Sequence, residues 1–441
     1  MSENLSEISH NEHDPASLSK ERSWRERWPS PWVFVLVPLP CGIFQGYLQT
    51  PLPYLLRQMG FPVDRIGSIE AFVLLPMALY LLWSPVVDFW LRRRTWMVLL
   101  SGLSGLMLIS AILLLAHDTA LATWLLFAGF CVNLMTSAAS GGLLAITQTG
   151  ERKAKAAAWL QGGSLAANAL GGAALLFFSK HLPLPVTCVL AALMVTLPAA
   201  VALTIPEPAP DTSTKDFLKT CRIMGSEIKQ TLFSWKSLPG LLLLLSPVGS
   251  GSAQSLFAAM AKDYHVGEHG VMLLNGLLGG VLTMLGAFIA VIVPARWDRR
   301  IAYAVAGLVC SGAGIFLALS PMHPMVYFLG VGFYMLTTGT CYAFFLGVVM
   351  VTMGEAGRSA SSRYTILVSL GNLPIVYMTK VEGWGYSLFG PRGVPAFDAA
   401  GNLLVAAAVA IWLIRRSTPQ RIPRSGIEAI GSPATATAEI S

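Results

Sequence analysis

The sequence predicts an all-α membrane protein, with twelve transmembrane helices in two pseudo-symmetric six-helix bundles. Three observations lead there. Charged residues make up 12% of the chain and hydrophobic residues 54%, with a mean hydropathy of +0.61, whereas a soluble domain carries about 25% charge. Apolar runs of the ~20 residues that cross a hydrocarbon layer recur twelve times. Features of the first six runs return in the second six at a near-constant offset. In lipid a helix satisfies its own backbone, and the alternating pattern of barrel strands does not occur.

The elements follow in order. Residues 1–31 are a polar tail, with residues 1–20 expected to be disordered. Trp24, Trp28 and Trp32 recur every four residues among Arg22, Arg25 and Arg27, a spacing that suits an interfacial helix. The first apolar run is too long, and lies too far along the chain, for a cleavable signal, so it is expected to remain as an anchor. Spans are predicted at 32–56, 66–87, 95–116, 120–148, 158–178 and 185–205. A polar central loop, 206–239, separates them from spans at 240–261, 270–293, 301–320, 325–352, 364–383 and 398–414. The bundles therefore cover 32–205 and 240–416, and the tail 417–441 reads as disordered. Pro38, Pro40, Pro51 and Pro53 are expected to bend span one. The glycine pairs Gly162-Gly163, Gly171-Gly172 and Gly279-Gly280 point to close helix packing.

Orientation follows from the cations. Of 30 Lys and Arg residues, 24 fall in the tails and in the loops on one side of the predicted spans, and 6 fall on the other. By the positive-inside rule both termini, the central loop and the Arg92–Arg94 loop are cytoplasmic. That rule explains the net charge of +7 without a nucleic-acid partner.

The internal repeat rests on particular residues. Asp88 precedes Arg92–Arg94 after span two, and Asp298 precedes Arg299 and Arg300 after span eight. Glu151 after span four and Glu355 after span ten are 204 positions apart, as are Asn168 and Asn372. Polarity is uneven too. Spans three, six and nine carry no amide or charge, and span twelve a single amide, Asn402, near its start, as expected of lipid-facing helices. Amides are costly against lipid, so Gln45, Gln49, Asn133, Asn168, Gln254, Asn275 and Asn372, with Tyr334 and Tyr342, are predicted to line a central cavity. That neutral lining suits a bulky, partly apolar solute better than a small ion. Helix–helix hydrogen bonding is the competing use of each amide.

The carboxylates divide by position. Glu70 is the one clearly inside a span and is the candidate proton-coupling group. Asp263 and Glu382 fall at span ends and are expected to be wetted surface acids. Asp88, Arg92, Arg93, Glu151, Asp298, Arg299 and Glu355 form a candidate cytoplasmic gate, whose contacts would differ between two states of a carrier. His265-Val266-Gly267-Glu268-His269 has the spacing of some zinc peptidases. Gly267 interrupts it in a short loop, so no metal site is expected. No Walker motif is present. The six cysteines lack CxxC spacing and read as packing residues. The seven histidines fall in loops or the tail, which argues against an enzyme, and no cofactor is expected.

Asp88 with Arg92 and Arg93 after span two resembles the loop signature of the major facilitator superfamily, with Ser84 where that signature begins with Gly. More narrowly, Leu52–Asp88 resembles the AmpG-like muropeptide permeases and the related acetyl-CoA transporters, through Leu52-Pro53, Gly60, Ile66-Gly67, Leu75-Pro76, Leu82-Trp83, Pro85 and Asp88. That group usually has a lysine where this chain has Tyr80, and acids in span four where Thr136–Glu151 has none before Glu151. The resemblance implies the major facilitator fold in a bacterial inner membrane. It also implies proton-coupled secondary transport of an organic solute by alternating access, with muropeptide or amino-sugar uptake as the leading substrate. A siderophore or hydrophobic-compound permease, or a non-transporting membrane sensor, are the alternatives. The expected partners are the solute, protons and lipid, with the chain a monomer.

Overall fold

The computed structural model describes residues 29–148, 150–207, 237–293, 298–353 and 360–417, with short pieces between 222 and 229. Trp24, Trp28, most of the central loop, Glu355 and the tail after residue 417 lie outside the described residues. The regular elements among the described residues are helices, and nine of them are long and apolar enough to cross a membrane.

Span one runs over Pro31–Gln58 and span two over Val63–Leu82. Spans three to six are Arg93–Leu114, Thr119–Thr147, Gly150–His181 and Leu184–Thr204. Span seven comprises Leu238–Leu244 and Ala253–Met260, and span eight extends from Glu268 to Ile292. Spans nine and ten are Arg299–Leu319 and Pro324–Met353. Span eleven is divided into Ala360–Gly371 and Leu373–Phe389, and span twelve is Gly393–Ser417. Spans five and twelve begin earlier than the apolar windows predict. A helix with one buried face continues through residues that are polar on the other, and hydropathy alone does not see those turns.

Proline and glycine explain the interruptions. Span one changes helix at Thr50-Pro51, as its prolines predict. Span two relaxes into 3-10 turns beyond Pro76. Span seven, expected to be continuous, breaks between Leu245 and Ser252, where Gly249 and Gly251 take φ of +56° and +69°, values that glycine adopts freely. The polar groups exposed by this break are met by other spans of the same half. Tyr303, Tyr342 and Tyr377 donate to the carbonyls of Val248, Ser250 and Leu245, and Asn402 Oδ1 accepts from the Gly249 amide. Within span eight, Met272–Leu278 is a π-helix centred on Asn275, a local widening often found at functional positions.

Packing obeys a twofold logic. Span three packs on spans four and six, as span nine packs on ten and twelve. The halves meet where span two lies along span eleven and span five along span eight, two contacts that exchange under the same axis. Both are close. A Cβ on Gly67 would fall 2.8 Å from the Thr379 carbonyl oxygen, and one on Gly280 would fall 2.4 Å from the Ala169 Cβ. Of the predicted glycine pairs, Gly163, Gly171 and Gly172 press on span one. Gly162 faces open space, and Gly279 meets the Leu274 carbonyl of its own span. Leu99, Leu103 and Leu106 of span three, Val189, Leu193 and Leu197 of span six, and Val305, Leu308 and Val309 of span nine are exposed, in keeping with a lipid-facing surface.

Candidate functional site

A cavity of about 280 Å³ lies where the two halves meet. Seven of the nine predicted lining residues converge on it: Gln45, Gln49, Asn168, Gln254, Asn275, Tyr342 and Asn372. They come from spans one, five, seven, eight, ten and eleven, so both halves contribute. Several are already oriented. Asn168 Nδ2 donates to Gln49 Oε1 at 3.0 Å, and Asn372 Nδ2 donates across the halves to the Met77 carbonyl at 3.2 Å. Tyr327 donates to Asn275 Oδ1 at 2.7 Å, while the buried Nδ2 of Asn275 has no partner among the described residues. Phe345, Leu346, Val368 and Ile375 supply an apolar wall.

The other two predicted lining residues lie elsewhere. Asn133 is fully buried and donates to the Pro40 carbonyl and to Ser104 Oγ, tying span four to spans one and three. This is the helix–helix use of an amide. Tyr334 donates to Asp398 Oδ1 at 3.1 Å, outside the cavity.

Asp398 belongs to a polar cluster that the sequence does not announce. Glu382, expected to be a wetted surface acid, is 0% exposed, and Asp398 is 1% exposed. Ser252 Oγ donates to Glu382 Oε1, Asn402 Nδ2 donates to Asp398 Oδ2 at 3.2 Å, and the two carboxyls face each other. Span eleven continues to Phe389 and span twelve begins at Gly393, which carries both acids inside the bundle. Glu70 is also 0% exposed, and its carboxyl oxygens have no hydrogen-bond partner among the described residues. No cation is paired with these three acids among the described residues.

The two ends of the bundle differ. At the end carrying Arg92–Arg94, the basic end, Glu207 accepts from the amides of Arg93 and Arg94 at 2.9 and 3.1 Å and lies 3.7 Å from the Arg93 guanidinium. Arg93 also lies against Gly142, where a Cβ would fall 2.5 Å from its Nε. Arg299 lies likewise against Gly347 of span ten, a repeat of the same contact. Asp298 caps its own helix by accepting from the Arg300 amide at 2.9 Å. Arg92 is exposed. The side chains of Asp88 and Glu151, like Glu355, fall outside what is described. At the far end Asp263, the other expected surface acid, joins the halves. Arg57 donates to Asp263 Oδ1 at 3.1 Å and to the Tyr386 hydroxyl at 2.9 Å, and Tyr386 donates to Asp263 Oδ2 at 3.0 Å.

A sequence model described as "Major Facilitator Superfamily" matches residues 15–376. The chain belongs to the major facilitator superfamily. Solved structures share the superfamily fold at low identity. Nucleoside transporter NupG is 13% identical, with a TM-score of 0.64 over 87% of this chain and 98% of its own. A POT family transporter in complex with 5-aminolevulinic acid is 10% identical, with a TM-score of 0.68 over 89% and 99%. A D-xylose-proton symporter is 13% identical, with a TM-score of 0.64 over 86% and 95%. No curated protein matches the chain in sequence. In this superfamily member the cavity residues were legible because an amide in an apolar run must face inward. Arg57 and Tyr386 carried no signal, being 329 positions apart and ordinary for loop borders. Ser252 had one, in the Gly-Ser-Gly-Ser run at 249–252.

Proposed function

We propose that this protein is a secondary active transporter that moves a small, hydroxyl- and amide-rich organic solute by alternating access. The observation that carries the reading is the shared cavity. Its amides come from both halves, so a solute bound there contacts both, and rocking one half on the other changes which end it can leave by. Spans two, eleven, five and eight, which meet backbone to backbone, are the surfaces on which such rocking turns. The basic end is cytoplasmic by the positive-inside rule, in a bacterial inner membrane, and the far end is the closed one.

The substrate class follows from the lining. Amides and a tyrosine hydroxyl pair with sugar hydroxyls and acetamido groups. The described lining offers no cation for a peptide carboxylate. Within the AmpG-like expectation this favours the amino-sugar part of a muropeptide. A volume near the lower bound of ~300 Å³ for small-molecule sites points the same way. The fold neighbours named for nucleosides and D-xylose, and the one in complex with 5-aminolevulinic acid, are compatible with such a solute.

Proton coupling is part of the proposal. Two facing carboxyls without a cation can hold and release one proton between them, and Glu70 is a second group able to do so. The test is uptake of a labelled amino sugar into vesicles of reconstituted protein under an imposed proton gradient. Glu382→Gln is expected to keep the fold and abolish gradient-driven accumulation, while Gln49→Ala weakens solute affinity about tenfold. Absence of saturable uptake for amino sugars and muropeptide fragments alike would defeat the substrate assignment. Full accumulation by Glu382→Gln and by Glu70→Gln would defeat the coupling.

A further inference from the structure

We propose that His181, Glu268 and His269 form a binding site for a divalent transition-metal ion, with Zn2+ best matched to the donors, held between the far ends of spans five and eight. His181 ends span five, and Glu268 and His269 open span eight. One donor atom from each of the three residues lies within 4.8 Å of the others. His181 Nε2 is 3.4 Å from Glu268 Oε1, close to the ~3.4 Å that separates two ligands about 2.1 Å from a tetrahedral ion. His269 is exposed, so its ring is free to rotate the remaining distance.

The imidazole is also prepared for the task. His181 Nδ1 lies 3.1 Å from the Phe177 carbonyl oxygen, and its ring stacks on Phe177 with centroids 4.4 Å apart. A proton on Nδ1 then serves the carbonyl, and the Nε2 lone pair points at the Glu268 carboxylate. In that tautomer Nε2 and the carboxylate are two acceptors facing one point, an arrangement that a bound cation satisfies. The neighbouring ammonium of Lys180 is directed to Gln58 Oε1 and lies over the Tyr54 ring. Two imidazoles and a carboxylate select a borderline ion over Mg2+ or Ca2+. The site thus takes only part of the peptidase-like motif. His265 caps the preceding turn at φ +59° and is not among the three ligands, and the third ligand comes from span five instead.

The ligands bridge the two halves. Resting on the transport reading above, a bound ion pins spans five and eight together at the closed end and acts as a brake on the cycle. The test has two arms. Purified full-length protein in detergent is titrated with ZnCl2, with MgCl2 as control. Saturable binding of one Zn2+ per chain in the micromolar range is expected, with a rise in Tm. His181→Ala and His269→Ala should each weaken it at least about tenfold while leaving the metal-free Tm unchanged. No saturable binding below about 1 mM, or undiminished binding in both variants, would overturn the site. In vesicles, Zn2+ on the far side should slow uptake by the wild type and not by His181→Ala. Unchanged uptake by zinc-loaded wild type would overturn the brake. Lack of uptake in every condition counts against the transport reading alone, because the titration is read without solute.

Discussion

The basic end and the far end use similar residues for different purposes. At the basic end, Glu207 holds the start of span three against the end of span six, and Asp298 caps span nine. Both contacts stay within one half. At the far end, Arg57, Asp263 and Tyr386 tie span one to spans seven and eleven, and His181 meets Glu268 across spans five and eight. These contacts join the halves. In the rocking carrier proposed above, a contact within a half survives the motion and adds to stability, whereas a contact between halves breaks and so sets the balance of states.

The comparison can be broken most directly at Asp263. Its pair with Arg57 is 18% and 22% exposed, between the surface case and the fully buried one, so its loss is worth about 2 kcal/mol. Asp263→Ala is expected to raise far-side labelling of a cysteine placed at Gln254 by roughly tenfold or more, with native cysteines removed. An unchanged labelling rate would show that the far-end contacts are not the closure.

Glu207→Ala sharpens the contrast. Two amides at the start of span three lose a charged acceptor, which is worth about 1–2 kcal/mol. Tm should fall by a few degrees while the Gln254 reporter keeps its wild-type rate. A changed rate would make Glu207 part of the gate. The smallest effect is expected from Asp298→Ala, which removes one exposed helix cap worth roughly 0.5–1 kcal/mol. Asp298→Asn retains the acceptor and should restore the loss in the same melting experiment. A large transport defect in both would return Asp298 to the gate predicted for it.

These results mark where the sequence was readable. Twelve apolar runs specify twelve helices because lipid leaves the backbone no alternative. Gln45, Gln49, Asn168 and Asn372 specify a cavity because their amides have few other places to go. Asn133 misled for the same reason, since an amide satisfied by Pro40 and Ser104 looks no different in one dimension from an amide that waits for a solute. Glu382 and Asp398 were hidden by their places at the edges of the predicted spans 364–383 and 398–414, where an acid facing water and one facing a neighbouring helix read alike. Arg57, Asp263 and Tyr386 required distances between segments far apart in the chain, which a single sequence does not encode.

The interrupted seventh helix has a consequence for biosynthesis. The carbonyls of Leu245, Val248 and Ser250 and the amide of Gly249 are met by Tyr377, Tyr303, Tyr342 and Asn402, all of which leave the ribosome later. A nascent chain halted before residue 303 would lack all four of these partners, so the carboxyl-terminal portion is expected to settle into the bilayer as one cooperative assembly and not helix by helix.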